Sequence, residues 1–135
     1  MKIKKINHIG LAVADLEPVK QLYTEMLGLS LDHEEMLGEL KIAFVPVGET
    51  NLELVQSTDP QGVMAQHVAK RGEGIHHIAL EVEDIDQALA ELKAKGMALI
   101  DDEPRKGAHG ARIAFVHPKA SHGVMIELVQ PGPSG

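Results

Sequence analysis

The chain has 135 residues, a length typical of one compact domain. It carries 13 Lys and Arg against 20 Asp and Glu, a net charge of −7, with two Phe, one Tyr and no Trp. This composition excludes the basic, ring-rich surface of a nucleic-acid binder, and the absence of cysteine excludes disulfides and thiolate metal sites. No apolar run approaches the ~18 residues of a membrane helix, and no secretory signal follows the N-terminal lysines. We therefore expect a cytoplasmic protein, or one in an organelle lumen after removal of a transit segment, without membrane or nucleic-acid partners.

The first half of the chain predicts one strand, one helix and three further strands. An Ile-, Leu- and Val-rich strand covers about 5–14, and Asp15 is placed to cap a helix that Gly28 ends. A short helix over about 59–72 follows this half. The three strands are predicted near 31–35, 40–45 and 51–56.

The second half predicts the same order of elements. NHIGLAVADL (7–16) matches HHIALEVEDI (76–85), and NLELVQ (51–56) matches MIELVQ (125–130), with a small insertion in the second copy. The helix of the second copy begins after Asp84. Its later strands are predicted near 97–101, 111–117 and 124–130. This duplication predicts an α+β fold of two tandem βαβββ modules, at about 5–57 and about 74–130, joined by the linker helix.

Four side chains capable of metal chemistry occupy matching positions in the two copies. Strand alternation places His8 on the face opposite the bulky apolar residues, and His77 repeats this arrangement. Glu53 and Glu127 each lie between two apolar residues, so their carboxylates also point away from the apolar layer. If each copy curls into half of a barrel, the inner face gathers two imidazoles and two carboxylates.

A divalent cation is the simplest reason to gather these groups. Two buried carboxylates that face each other repel, and a metal ion removes that cost. Nitrogen and oxygen ligands without sulfur suit Co, Mn, Zn, Fe or Ni, and the residues alone do not choose among them. Alternatively, His8 is a hydrogen-bonded core histidine and Glu53 an exposed strand residue. One shared site explains matching residues in both copies more economically.

These paired copies, with a ligand on the first and last strand of each, resemble the vicinal oxygen chelate superfamily. This group includes glyoxalase I, extradiol dioxygenases, antibiotic-resistance proteins and methylmalonyl-CoA epimerases. The segments GEGIHHIALEV (72–82) and DEPRKGAHGARIAFVHPKASHGVMIELVQ (102–130) are similar to the epimerase branch, and so is the opening NHIGLAVADLE (7–17). The resemblance covers nearly the whole chain. It implies a single domain over 1–135, with a curved, partly open, eight-stranded barrel-like sheet around a metal site.

The resemblance also implies the ligand set. The metal ligands would be His8, His77 and Glu127, and the fourth, a Gln or Glu in such enzymes, falls at Glu53. Gln56 lies three residues further on and would face the opposite side. Cobalt is the ion expected, with Mn, Zn, Ni or Mg as alternatives. The expected partners are an acyl-CoA substrate and a second copy of the chain in a homodimer.

The activity implied by the resemblance is isomerisation of (R)- and (S)-methylmalonyl-CoA through an enolate formed by loss of the C2 proton. Inversion requires an acid–base group on each face of C2. Glu127 is the candidate for one face. Where some family members carry a second Glu, this chain has Lys41, with Glu39 nearby, so Glu39 is the catalytic candidate for the other face, with Glu53 or a bound water as alternatives. A lactoylglutathione lyase of the glyoxalase I type, or a non-catalytic drug-binding protein of the same fold, is the alternative function.

Overall fold

The computed structural model describes residues 1–133, which form two compact units. The first unit is His8–His76, and the second unit combines Met1–Asn7 with the chain from His77 onward. The order of elements is strand, helix and three strands, then a linking helix, then the same order again. The predicted α+β class with tandem βαβββ modules is therefore confirmed.

In the first unit, four strands lie in the order β2-β3-β4-β1. The strands are β1 (Ile3–Ala12), whose residues from His8 onward belong to this unit, β2 (His33–Leu37), β3 (Leu40–Val47) and β4 (Thr50–Ser57). The helices are α1 (Leu16–Gln21) and α2 (Val63–Arg71). Strands β1 and β4 are parallel, whereas the other neighbours are antiparallel. Helix α1 continues as a wider π turn over Leu22–Met26, and the chain then reverses at Gly28, whose φ of 74° is costly for residues with a Cβ.

The core of the first unit lies on one face of these strands. Leu11 and Leu54 are buried there together with Leu16 of α1. Because side chains alternate along a strand, His8 and Glu53 point to the opposite face. Burying each leucine contributes about 1.5–3 kcal/mol, which strongly disfavours any one-residue shift of register. The apolar layer thus determines where the polar residues point.

In the second unit, four strands lie in the order β5-β8-β7-β6. They are β5 (Gly74–Val82), whose residues from His77 onward belong to this unit, β6 (Arg105–Lys106), β7 (Arg112–Val116) and β8 (Ile126–Gln130). Helix α3 (Ile85–Ala94) follows β5. Strands β5 and β8 are parallel, and Leu128 packs with Val82 and Ile85 in the core. Among residues 1–133, no helix is both long and apolar enough to cross a membrane.

The prediction of a strand near 97–101 is wrong. Within that segment Leu99 makes an isolated bridge to Val116, and the edge strand β6 forms further along the chain. The amides of Ile100 and Asp101 both point to the carbonyl of Phe115, at 2.9 and 3.3 Å, and the Asp101 carboxylate accepts the Phe115 amide at 2.8 Å. A regular β-ladder does not continue through this segment, because the Asp101 carboxylate accepts the Phe115 amide in place of a backbone carbonyl.

A glutamine at the end of the last strand holds the start of the helix in each copy. Gln56 Oε1 accepts the amide of Leu16 at 2.8 Å, and Gln130 Oε1 accepts the amide of Ile85 at 2.9 Å. Both recipient residues are buried, so each amide needs a partner inside the protein. Gln56 therefore faces its helix and points away from Glu53, as the alternation predicts.

Replacing Gln130 by methionine is expected to lower the free energy of unfolding by about 1–3 kcal/mol, because the buried amide of Ile85 loses its acceptor while the side-chain volume is kept. The measurement is urea denaturation of both proteins. Gln87→Met, at an exposed position of α3, is the control and is expected to change stability by less than about 0.5 kcal/mol. Equal effects of the two substitutions would show that the Gln130 hydrogen bond is not what stabilises the helix start.

Candidate metal centre

The first unit holds one buried imidazole–carboxylate pair. The parallel pairing of β1 with β4 sets Gly10 opposite Glu53, which brings His8, two residues earlier on the same face, beside the carboxylate. The distance from His8 Nδ1 to Glu53 Oε2 is 3.0 Å. Both residues are more than nine-tenths buried, with 5% and 8% of their surface exposed. The small residue at position 10 leaves the space above the strand to these two side chains.

The second unit repeats this pair. The parallel pairing of β5 with β8 sets Ala79 opposite Glu127, and His77 lies two residues before Ala79. The distance from His77 Nε2 to Glu127 Oε1 is 3.2 Å, and the two residues are 6% and 4% exposed. A duplicated sequence has therefore produced a duplicated buried pair.

Each carboxylate is also flanked by an aromatic ring on the neighbouring antiparallel strand. Phe44 is opposite Glu53 in the first unit, and Phe115 is opposite Glu127 in the second. His33 stacks on the ring of Phe44 with centroids 4.5 Å apart, and the guanidinium of Arg105 lies 5.3 Å from the centroid of Phe115. Each ring therefore lies beside one carboxylate. The face of the Phe44 ring contacts an imidazole, and the face of the Phe115 ring contacts a guanidinium.

The donor set of the two pairs fits a divalent transition metal. Each pair offers one imidazole nitrogen and one carboxylate oxygen, and neither contains sulfur. Such a set suits Co, Mn, Ni, Zn or Fe, whereas Mg prefers oxygen ligands. A buried carboxylate costs several kcal/mol unless it is paired or bound to a cation. The two pairs are thus chemically suited to hold a metal ion.

Comparison with known proteins places the chain in a family. The family model of the Glyoxalase/Bleomycin resistance protein/Dioxygenase superfamily matches residues 7–115. The mitochondrial methylmalonyl-CoA epimerase of Mus musculus is 34% identical over 132 residues, which cover 96% of this chain and 74% of that protein. The chain belongs to the methylmalonyl-CoA epimerase family.

Two further members of this family align over almost their whole length. The ethylmalonyl-CoA/methylmalonyl-CoA epimerase of Cereibacter sphaeroides is 35% identical, with 95% of this chain and 98% of that protein covered. A Streptomyces coelicolor methylmalonyl-CoA epimerase in complex with 2-nitronate-propionyl-CoA superposes with a TM-score of 0.93 at 34% identity, covering 98% of this chain and 97% of that one. The superfamily match ends at Phe115, but the structural match continues through most of the remaining chain, which includes Glu127.

In this member of the epimerase family, Glu39 lies apart from the buried pair of its unit. It occupies the exposed turn between β2 and β3, and its carbonyl accepts the amide of Thr58 at 2.8 Å. Its carboxylate lies near Gly62, where an added Cβ would come within 3.1 Å of Oε1. Along β4 the turn is four residue pairs from Glu53, about 13 Å. Lys41 is opposite Met36, on the face of the strands that packs on α1.

Two acidic residues near the pairs were not predicted from the sequence. Glu81, two residues beyond Ala79 on β5, is 7% exposed and accepts a hydrogen bond from Asn7 Nδ2 at 2.9 Å. Glu35 on β2 contacts His33 Nε2 at 3.2 Å, and His33 Nδ1 contacts Asp32 at 3.0 Å. Both glutamates could have been found from strand alternation, which places side chains two residues apart on the same face. Glu81 thus follows 77 and 79 on one face, and Glu35 follows His33 on another.

The pKa of His33 rises above its usual 6.5, because burial lowers it but the hydrogen bonds with Asp32 and Glu35 raise it by more. A raised pKa means that protonated His33 stabilises the fold below pH 6.5, and that this contribution is lost as the pH rises through the folded-state pKa. The difference in unfolding free energy between the unmodified protein and His33→Gln is therefore expected to be larger at about pH 5.5 than at about pH 8.5. Urea denaturation at both values measures it. A difference that grows with pH would contradict the assignment.

Proposed function

We propose that the chain is a methylmalonyl-CoA epimerase, an isomerase that interconverts the (R) and (S) forms of methylmalonyl-CoA. The observation that carries this proposal is the buried His–Glu pair, present once in each unit of a chain of this family. The reaction removes the proton at C2, between a thioester and a carboxylate, and returns it on the other face. Ethylmalonyl-CoA is a second substrate to test, since the C. sphaeroides relative is named for both compounds.

We further propose that His8, Glu53, His77 and Glu127 would together hold one divalent ion. Support comes from their burial, from their equivalent positions in the two copies and from their donor chemistry. When bound, the ion would supply Lewis-acid stabilisation of the negative charge that develops on the thioester oxygen. Cobalt is the first ion to test, then Mn, Zn and Ni, and then Mg.

The remaining chemistry belongs to the side chains. Glu127 would accept the C2 proton on one face, while the electron pair of the C–H bond moves towards the thioester. His77 contacts Glu127 Oε1 and limits the orientations of this carboxylate. Because Glu127 is buried, bulk water would be kept away from the carbon that it deprotonates, which would protect the enolate from uncontrolled protonation. The assignment of Glu39 to the other face stays a prediction.

The test is deuterium exchange at C2 of methylmalonyl-CoA, followed by NMR in D2O with metal-stripped protein and again after cobalt is added. We expect exchange and epimerisation that depend on the metal. No exchange with any of the five ions would overturn the proposal. Isomerisation of the hemithioacetal of methylglyoxal and glutathione would then be assayed, since a lactoylglutathione lyase or a non-catalytic drug-binding protein would remain.

A homodimer and a cytoplasmic location complete the proposal. Light scattering on the eluting peak of a size-exclusion column measures the mass in solution, and twice the mass of the chain is expected. A single-chain mass at concentrations used for the assay would contradict the homodimer. The cytoplasmic location stays a prediction, which a sequence without cysteine supports.

A further inference from the structure

A second polar pair lies on the same face of the first unit as His8 and Glu53. In the antiparallel strands, His33 is opposite Phe44, and Phe44 is opposite Glu53. Residues directly opposite each other in an antiparallel pair share a face, so all three side chains lie on one side. Glu35, two residues after His33, is on this side as well.

The other face of β2 is occupied differently. Glu34 points towards α1, where the ammonium of Lys20 contacts its carboxylate at 3.1 Å. Glu34 and Glu35 are therefore neighbouring carboxylates of the same type on opposite faces of one strand. The Glu34 carboxylate thus binds a lysine on one face of the strand, whereas the Glu35 carboxylate lies on the same face as the buried His8–Glu53 pair.

His33 holds Glu35 in place. Its Nε2 contacts Glu35 Oε1 at 3.2 Å, its Nδ1 contacts Asp32 Oδ2 at 3.0 Å, and its ring lies 11° from parallel to that of Phe44. The contacts with Asp32 and Phe44 restrict the imidazole, and the imidazole in turn restricts the Glu35 carboxylate. Glu35 is about three-quarters buried, enough to be oriented while remaining accessible.

Inversion at C2 needs a second acid–base group that reaches the face Glu127 does not serve. Such a group must be a proton carrier, must be oriented, and must share the side of the strands on which the buried His–Glu pair lies. Glu39 is a proton carrier, but it lies in an exposed turn with its carboxylate beside Gly62. In the first unit, Glu35 meets all three requirements.

We propose that Glu35 is the second catalytic acid–base residue and that His33 is its positioning residue. The inference rests on the proposed epimerase function. In one direction, Glu127 takes the C2 proton as the C–H bond breaks and its electron pair moves to the thioester. Protonated Glu35 then gives its proton to the opposite face of C2, and the electron pair returns to form the new C–H bond. Proton exchange with solvent restores both carboxyl groups, and the other direction exchanges their roles.

The experiment incubates each enantiomer of methylmalonyl-CoA separately with cobalt-loaded protein in D2O, and measures both C2 deuterium content and configuration. Glu35→Gln is expected to slow epimerisation by about 10²–10⁴-fold. One enantiomer should still exchange its C2 proton with retention of configuration, because Glu127 can remove a proton and return one to the same face. Exchange of the other enantiomer should fall with epimerisation. A merely structural role would slow exchange of both enantiomers.

Glu34→Gln is the matched control and should epimerise within about threefold of the unmodified protein, since its carboxylate lies on the other face. His33→Gln should lower kcat more than it raises KM and should change the pH profile of kcat. Glu35→Asp provides the same single-face readout should the glutamine variant fail to fold.

Three results would overturn the proposal for Glu35. They are epimerisation by Glu35→Gln within about threefold of the unmodified protein, equal loss of exchange for both enantiomers in a folded variant that still binds cobalt, or single-face exchange that appears in Glu39→Gln instead. Failure of the epimerase proposal itself would differ from all three, because the unmodified protein would then show no exchange with any ion.

Discussion

Replacing Glu127 by glutamine is expected to reduce epimerisation by about 10²–10⁴-fold, the usual cost of losing a general acid or base. The amide cannot accept the C2 proton, so one of the two faces loses its proton carrier. The same change also replaces an anionic donor with a neutral one beside His77. We therefore expect weaker metal binding as well as slower turnover, measured by cobalt titration and by the NMR assay.

Glu53→Gln is the matched change in the first unit, because the two carboxylates occupy equivalent positions on the last strands of the two copies. The resemblance implies either Gln or Glu as the ligand at this position, and an amide oxygen can still bind a metal ion. Glu53→Gln is therefore expected to retain epimerase activity within about tenfold at saturating cobalt. Equal losses in the two variants would mean that Glu127 acts only as a ligand and that another residue removes the proton.

The positions of the two pairs follow from strand alternation. From His8 onward, polar or small residues alternate with bulky apolar ones, and Glu53 lies between two leucines, so the face of each side chain can be predicted. The pairing register then determines which residues become neighbours. The sequence predicts that register only through the repeat, since two copies with matching first and last strands are expected to pair those strands in the same way. The structure shows Gly10 opposite Glu53 and Ala79 opposite Glu127, which agrees with this reasoning.

The role of β2 could not be predicted in the same way. Its sequence, HEEML, has no apolar alternation that would reveal which face is covered by α1. The tight turn at Gly38 and Glu39 determines the register, and that register puts His33 rather than Glu34 opposite Phe44. Nothing in the sequence therefore indicates that His33 stacks on the buried ring of Phe44. A one-residue change in the length of this turn would have exchanged Glu34 and Glu35.

The second large effect expected is on stability. Replacing Phe44 by alanine should lower the free energy of unfolding by about 3–5 kcal/mol, because the ring is among the largest fully buried side chains and its removal leaves a cavity. Phe115→Ala removes the equivalent ring in the other copy, where the residue is only half-buried, and should cost less. Guanidinium chloride denaturation of both variants gives the two values.

The two phenylalanine variants also distinguish a role of the rings in packing from a role in catalysis. Phe44 supports the stacked ring of His33, and through it Glu35, whereas Phe115 lies beside Arg105 and His77. At temperatures where both variants stay folded, Phe44→Ala should therefore impair proton exchange on the face assigned to Glu35 more than on the face assigned to Glu127. Phe115→Ala should show the opposite bias. Equal stability losses would contradict the difference in burial, and loss of exchange on both faces in both variants would show that the rings serve packing alone.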